Sequence, residues 1–138
     1  MRKRIAVLTL TVLLVLSIFS GCSAESEDTM DNKNNSYEQI TPSEAKALMD
    51  EEENYVILDV RTQEEFDEAH INGAILIPDY EIGEKAESIL TDKEQLILVY
   101  CRSGRRSKLA ADELVSLGYT NVKEFGGIID WEYGTVSE

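Results

Sequence analysis

The sequence contains few cysteines, histidines and basic residues. Its 138 residues include two cysteines, one histidine and 13 lysines and arginines, against 27 aspartates and glutamates. The formal net charge is −14 at pH 7. This charge argues against nucleic-acid binding, because that binding depends on Lys and Arg side chains that neutralise phosphates. Electrostatic adhesion to anionic lipids is disfavoured for the same reason.

The start of the chain is typical of an export signal. Arg2, Lys3 and Arg4 precede an apolar run at residues 5–19, and its 15 residues are fewer than the roughly 20 that span a bilayer. We therefore predict a cleaved signal peptide over residues 1–21 rather than a retained transmembrane helix.

The end of this run, LSIFSGC at residues 16–22, resembles the lipobox of bacterial lipoproteins, with Phe19 where an aliphatic residue is usual. The resemblance implies that Cys22 is lipidated and anchors the protein at the extracytoplasmic face of a bacterial cell membrane. An ordinary signal peptide with an incidental cysteine remains the alternative. The chain after the leader has 10 basic and 27 acidic residues, so attachment to a membrane would depend on acyl chains alone.

The rest of the chain divides into a polar segment and one domain. Residues 22–36 hold almost nothing apolar and cannot offset the entropy of ordering, so we predict that they form a flexible acidic tether. Residues 37–138 suffice for one domain with one core. If Cys22 carries lipid, Cys101 has no partner within the chain. An unpaired cysteine in an exported protein indicates intermolecular pairing or a reactive thiol.

Strand and helix patterns alternate through this domain. Capping boxes at Thr41–Glu44 and Thr62–Glu65 predict two helix starts. Short apolar runs predict strands that are buried on both faces, at residues 55–60, 75–78, 95–100 and 121–125. Further helices are predicted at residues 84–90 and 108–117, followed by a last short helix that carries Trp131. The alternation predicts an α/β fold with a central, mostly parallel sheet.

The carboxyl edge of such a sheet is where ligands bind. Cys101 comes directly after the third predicted strand, in a loop rich in cations that are scarce elsewhere. Thiolates are favoured at helix N-termini and beside cations, so we expect a depressed pKa for Cys101. Gly104 permits a positive φ, which lets successive N–H groups converge on the sulfur. The alternatives are an inert, buried Cys101 and, for Arg105 and Lys108, a solvated helix face.

Three motifs together resemble the rhodanese (thiosulfate sulfurtransferase) family. They are C-x-x-G-x-R-S at residues 101–107, LDVRTQEEFDEAHINGAILIP at residues 58–78 and FGGIIDW at residues 125–131. The likeness covers about residues 38–133, and Ala69 departs from the glycine that commonly precedes the histidine. It implies a single rhodanese-like domain with helices on both faces of the sheet.

The resemblance also implies an activity. A sulfane sulfur would pass from thiosulfate or a related small anionic donor to a thiol or cyanide acceptor, with Cys101 carrying it as a persulfide. Main-chain amides of residues 102–106 would hold the persulfide, and Arg102 and Arg106 would orient the donor. The residues implied in substrate binding are Arg102, Ser103, Gly104, Arg105, Arg106 and Ser107. No metal or organic cofactor is implied.

Other polar residues of the motifs are expected to be structural. They include Asp59, Arg61 and Glu65, with Arg61 paired to a carboxylate near the rim of the crevice. His70 lies in a predicted helix-to-strand loop at the edge of the sheet opposite Cys101, too far away to act as its general base. We therefore interpret His70 as a turn residue.

Two other functions remain open. Cysteine-dependent phosphatases and arsenate reductases also hold a cysteine in an anion cradle, but their loop is C-x5-R, whereas Cys101 and Arg106 give C-x4-R. Tyr100 also replaces the histidine that usually precedes a phosphatase cysteine. The second alternative is a non-catalytic sulfur-binding or sensing module, although silent family members often lack the cysteine that is present here.

Overall fold

The computed structural model describes residues 36–138, so the predicted signal peptide, the lipobox with Cys22 and nearly all of the predicted tether lie outside the described residues. Among the helices of residues 36–138, none combines the length and hydrophobicity that spanning a bilayer requires. Strands and helices alternate through this part of the chain, as the sequence predicts.

The described part of the chain folds around a five-stranded sheet in which all neighbouring strands are parallel. The strand order is β1-β5-β4-β2-β3, with bounds β1 Glu38–Gln39, β2 Tyr55–Asp59, β3 Ile75–Leu76, β4 Leu96–Cys101 and β5 Val122–Gly127. The α/β class and the parallel sheet are therefore confirmed. Strand β1 is not predicted from the sequence, because two exposed residues at the edge of a sheet produce no apolar pattern.

Helices pack on both faces of this sheet, as predicted. Their bounds are α1 Pro42–Glu51, α2 Gln63–Glu68, α3 Ile82–Ile89 and α4 Arg105–Ser116, with 3₁₀ turns at Asp79–Glu81 and Ile128–Asp130. Ala86 of α3 and Leu114 of α4 share one buried cluster with Val99 of β4. Ala45 of α1 shares a second cluster with Leu98. Successive side chains of β4 thus enter opposite halves of the core.

Both predicted capping boxes are present. The Thr41 hydroxyl accepts a hydrogen bond from the Glu44 amide at 3.2 Å, and the Glu44 carboxylate accepts one from the Thr41 amide at 2.7 Å. Thr62 and Glu65 exchange the same pair of bonds at 3.3 and 3.1 Å. The second box fixes the carboxylate of Glu65 at the start of α2. This carboxylate also contacts Arg106 of α4.

Predicted and observed boundaries differ most around the cysteine loop and at the end of the domain. Helix α4 begins at Arg105 rather than at residue 108, because Gly104, with φ 99°, forms its N-cap and no apolar residue marks the first turn. The predicted last short helix is present directly after Gly127 as a 3₁₀ turn at Ile128–Asp130. It does not include Trp131, which follows the turn in an extended conformation. Its indole N–H instead donates to the carbonyl of Gly134 at 3.0 Å.

Candidate active site

Cys101 is the last residue of β4 and precedes the N-terminus of α4. Its sulfur accepts a hydrogen bond from the amide of Gly104 at 3.0 Å. The side chain belongs to the buried cluster between the sheet and helices α3 and α4, and only 1% of the residue is exposed. The thiol therefore lies at the carboxyl edge of the sheet, as predicted, but beneath the surface of the loop.

Two glycines shape the loop that covers this sulfur. Gly104 adopts φ 99°, a left-handed conformation that turns its amide toward Cys101. Gly127 is needed for a different reason, since a Cβ at this position would lie 2.0 Å from the carbonyl oxygen of Arg102. The loop after β4 can therefore lie against the end of β5 only if residue 127 has no side chain.

Hydrogen bonding lowers the pKa of the Cys101 thiol. Burial raises this pKa, but the Ser107 hydroxyl and the amides of Ser107, Gly104 and Ser103 outweigh it, and the thiol pKa lies below its ordinary value. The amides of Ser103 and Gly104 belong to the predicted cradle, whereas the Ser107 amide extends it. No arginine is among the main causes, so the loop donors contribute more than the neighbouring cations.

Arg106 is engaged with a carboxylate. Its guanidinium donates to both oxygens of Glu65, at 2.7 and 2.8 Å. This contact lowers the pKa of Glu65 to about 2. The pKa of Arg106 is raised, first by Glu65 and to a smaller extent by the charges of Cys101 and Asp79. Arg106 is thus close enough to interact with the sulfur, but its donor fork is held by α2.

The remaining predicted binding residues lie in the loop after Cys101 and in the first turn of α4. Arg102, Ser103 and Arg105 are exposed, whereas Gly104 and Ser107 are buried. Within residues 36–138, the ion pairs involve every lysine and arginine except three, which are Arg102, Arg105 and Lys108. Unpaired cations of the described part of the chain are therefore concentrated beside Cys101.

Asp59 and Arg61, which are expected to be structural, are both buried at the end of β2. Arg61 pairs with Asp59 at 2.7 Å, as predicted, but the pair is buried rather than at the rim of a crevice. The Tyr100 hydroxyl donates to Asp59 at 2.5 Å, and burial together with Asp59 raises the pKa of Tyr100. This network supports β4 from the face opposite α4.

His70 occupies the turn after α2 that the sequence predicts. Its ring stacks on Phe66 with centroids 3.8 Å apart, and Nδ1 lies 2.8 Å from the carbonyl oxygen of Phe66. Its main chain pairs with that of Val136. These contacts account for a structural role, and none of them involves the cysteine loop.

Glu124 of β5 is a further residue of the site, and it is not among those predicted from the sequence. Its carboxylate accepts hydrogen bonds from the Ser107 hydroxyl at 2.6 Å and from the Gly126 amide at 2.8 Å, and 2% of the residue is exposed. The available signal was an acidic residue at an inward position of a core strand, directly before the Gly126-Gly127 pair. Among the described residues, no group of three or more His, Cys, Asp or Glu side chains could hold a metal ion.

Fold and site together define a class: α/β proteins that hold a cysteine among main-chain donors where a parallel strand meets a helix. Within that class, this chain belongs to the rhodanese-like domain family, whose model matches residues 41–133. It is therefore a member of a sulfurtransferase family.

Named relatives agree with this assignment. The chain is 40% identical over 73 residues to thiosulfate sulfurtransferase PspE of Escherichia coli, a match that covers 53% of this chain and 70% of PspE. It is 36% identical over 97 residues to thiosulfate sulfurtransferase GlpE of Coxiella burnetii, which covers 70% and 88% of the two chains. A solved rhodanese with anions from E. coli superimposes with a TM-score of 0.58 at 36% identity, covering 61% of this chain and 99% of that one.

Proposed function

We propose that the protein is a thiosulfate sulfurtransferase-like enzyme in which Cys101 carries sulfur as a persulfide. The observation that carries the proposal is the sulfur itself, which accepts the Gly104 amide at 3.0 Å at the N-terminus of α4. Donors in this position stabilise an anionic sulfur, whether thiolate or persulfide. The sulfurtransferases among the relatives supply the reaction class.

The proposed reaction is a double displacement. The Cys101 thiolate attacks the outer sulfur of thiosulfate, the S–S bond of the donor breaks, and sulfite leaves with the bonding pair. The persulfide anion then remains on Cys101. A nucleophilic acceptor such as cyanide attacks the terminal sulfur, forms thiocyanate and returns the cysteine as a thiolate. Such covalent catalysis gives ping-pong kinetics.

The surrounding residues divide this work. The amides of Ser103, Gly104 and Ser107 stabilise the negative charge on the sulfur. Because these donors are already in place, they do not have to reorganise during the reaction. Arg102 and Arg105 are exposed and take part in no ion pair within residues 36–138, so they are available to attract an anionic donor. We propose that Arg106, bound by Glu65, contributes by its charge and by fixing α2 against α4 rather than by a fork around the donor.

The burial of Cys101 sets a condition on access. Because 1% of the residue is exposed while Arg102 and Ser103 above it are exposed, the donor has to reach the sulfur through a small displacement of that loop segment. Such a displacement has to loosen the hydrogen bond that the Arg102 carbonyl accepts from the Ile129 amide at 3.3 Å.

Mass spectrometry of the intact protein after treatment with thiosulfate tests the proposal. We expect a gain of one sulfur atom in the wild type, lost on addition of cyanide, and no gain in Cys101→Ser. Ser23→Ala, outside the domain, is the matched control and should behave as the wild type. A Cys101→Ser variant with full cyanide-dependent turnover would contradict the assignment of the nucleophile.

The second candidate is a sulfur-binding module without turnover. The nearly complete covering of Cys101 favours it, since a covered persulfide is protected from acceptors. Steady thiocyanate release over many turnovers would exclude this candidate, whereas a single release per protein molecule would support it. Phosphatase activity is disfavoured, because the arginine of the C-x4-R loop is bound by Glu65.

We also propose that Cys22 is lipidated after export, which would place the domain at the extracytoplasmic face of the cell membrane. The support is the basic start, the short apolar run and the Gly-Cys pair of the sequence. Cys22→Ala should move the protein from the membrane fraction to the soluble fraction. If the variant stays with the membranes, another segment anchors it.

A further inference from the structure

Glu124 is a buried carboxylate at the candidate site that the proposed reaction does not use. It lies on β5, the strand next to β4, and 2% of the residue is exposed. A buried carboxylate is stable only when it is well hydrogen-bonded. Its partners are therefore informative about what it does.

Both side-chain hydrogen bonds of Glu124 hold residues at the cysteine loop, one in the first turn of α4 and one at the end of β5. Oε1 accepts the Ser107 hydroxyl at 2.6 Å and the Gly126 amide at 2.8 Å. The first distance is typical of a hydroxyl that donates to an ionised carboxylate. The same oxygen would lie 3.8 Å from a Cβ at Gly104, so it is close to the residue that donates to Cys101.

Ser107 stands between this carboxylate and the sulfur. A serine hydroxyl has one proton to donate. Its possible acceptors include Glu124 at 2.6 Å and the carbonyl of Gly104 at 3.1 Å. The same hydroxyl contributes to lowering the pKa of the Cys101 thiol, so the sulfur is also within its reach. In the structure the hydroxyl donates to the Glu124 carboxylate, and a thiolate at Cys101 would be a second anionic acceptor for the same proton.

We propose that Glu124 is a positioning residue for Cys101, which takes the hydroxyl proton of Ser107 and so limits how far that hydroxyl stabilises the anionic sulfur. When the sulfur is a thiol, the proton belongs to Glu124. When the sulfur is a thiolate or persulfide, the hydroxyl is shared between the two acceptors. The inference deepens the proposed function, and its meaning for catalysis rests on the role of Cys101 there.

The other charged groups near the pair include Arg102, Arg105 and Lys108, which are exposed and take part in no ion pair within residues 36–138. Arg106 of α4 is held by Glu65 of α2, and Asp79 of the 3₁₀ turn interacts with Arg106 rather than with Ser107. The phenol of Tyr37 has its pKa raised by burial, by Asp112 and by Glu124. None of these charged groups is hydrogen-bonded to Ser107, so the anions that compete for its hydroxyl are Glu124 and the sulfur, beside the neutral carbonyls of Gly104 and Gly126 at 3.1 and 3.3 Å.

The test is a titration of the Cys101 thiolate by ultraviolet absorbance in the full chain, with the matching Cys101→Ser protein subtracted. We expect Glu124→Gln to lower the pKa of Cys101 by roughly 0.5 to 1 unit, because a neutral amide competes less well for the Ser107 proton. Glu124→Asp keeps the charge but shortens the side chain, and it should also lower the pKa. In a Ser107→Ala background, Glu124→Gln should produce no further shift.

Contrary results would overturn the inference. An equal shift from Glu124→Gln with and without Ser107 would show that the carboxylate acts by charge alone, as would a shift with Gln but none with Asp. An unchanged pKa in folded Glu124→Gln would remove the role. If Glu124→Gln does not fold, Glu124→Asp and its double variant with Ser107→Ala decide the question. Glu87→Gln, an exposed carboxylate on α3 paired with Lys93, is the matched control and should titrate as the wild type.

The titration does not depend on sulfur transfer, so the two proposals can fail separately. If the wild type transfers no sulfur but the coupling of Glu124 and Ser107 to Cys101 persists, the proposed function fails and this inference stands. If transfer proceeds without that coupling, the inference fails alone. Where both hold, the pH profile of kcat/KM for thiosulfate should move with the thiolate pKa in Glu124→Gln.

Discussion

At the scale of single residues, two glycines determine which groups lie close to the Cys101 sulfur. Gly104 contributes an amide at 3.0 Å, which only its left-handed conformation directs inward. Gly127 contributes the space that the main chain of Arg102 occupies. The first glycine supplies a donor and the second allows the loop to approach, so substitutions at the two should fail for different reasons.

Gly127→Ala should damage the site more than the fold. Its φ of −128° suits any residue, so the effect arises from a Cβ 2.0 Å from the Arg102 carbonyl oxygen, which has to move. We expect a loss of about 1–3 kcal/mol in unfolding free energy. We also expect at least a roughly tenfold loss of sulfur transfer, because a displacement of about 1 Å at reacting groups lowers rates strongly.

Gly118→Ala is the matched control for this change. Gly118 has φ 93° with open space around it, so alanine there introduces backbone strain of about 1–2 kcal/mol without a clash. Urea melts and thiocyanate assays on both variants separate the two effects. Equal losses of activity in both would mean that stability, and not the position of the loop, governs the rate.

At the scale of helices and strands, the sequence predicts those features that depend on residues close together along the chain. Both capping boxes, three buried strands and the turn at His70 could be predicted, because they depend on neighbours along the chain. The fourth predicted strand, at residues 75–78, is expected to be buried, but β3 has two residues, lies at the edge of the sheet and is partly exposed. The ion pair of Arg106 with Glu65 and the contact of Ser107 with Glu124 could not. Each joins residues of different elements, and only the packing of α2 and β5 around α4 brings them together.

The capping box of α2 is connected to the cysteine loop through Glu65 and Arg106, whereas the capping box of α1 has no such connection. Thr62→Ala removes the side-chain acceptor of a capping box, and the loss of such a cap costs about 1 kcal/mol. It also frees Glu65, whose carboxylate that box orients toward Arg106. We expect a similar loss of stability from Thr41→Ala in α1, but a fall in sulfur transfer of a few-fold or more only from Thr62→Ala.

The comparison needs kinetics and stability on the same preparations. Thermal unfolding should report comparable losses for Thr41→Ala and Thr62→Ala, while kcat/KM for thiosulfate should separate them. If both variants retain the wild-type rate, α2 does not position the cysteine loop. Glu65→Gln should then also be silent in kinetics.

For the molecule as a whole, charge is distributed unevenly in sequence and in space. The chain has 27 acidic residues, yet the described cations outside residues 102–108 are each matched with a carboxylate. The three unpaired ones lie close to Cys101 along the chain. Under the proposed function, an acidic protein would thereby present a local cationic surface to an anionic donor, while its overall charge opposes binding to polyanions.

The Arg106–Glu65 pair gives the stability of the whole domain a pH dependence. Glu65 has a pKa of about 2 in the folded protein, below an ordinary value of about 4.3 for an unfolded chain. Its depressed pKa means that the contribution is fully present above the unfolded pKa and is lost as pH falls toward the folded pKa.

We expect wild type and Glu65→Gln to differ by about 1–3 kcal/mol in unfolding free energy at neutral pH. Urea melts from pH 7 downward should show this difference shrinking between about pH 5 and pH 2. Glu87→Gln, whose carboxylate is 61% exposed, should show little of either effect. A gap between wild type and Glu65→Gln that stays constant over this range would mean that packing of the Glu65 side chain, and not its ionisation, joins α2 to α4.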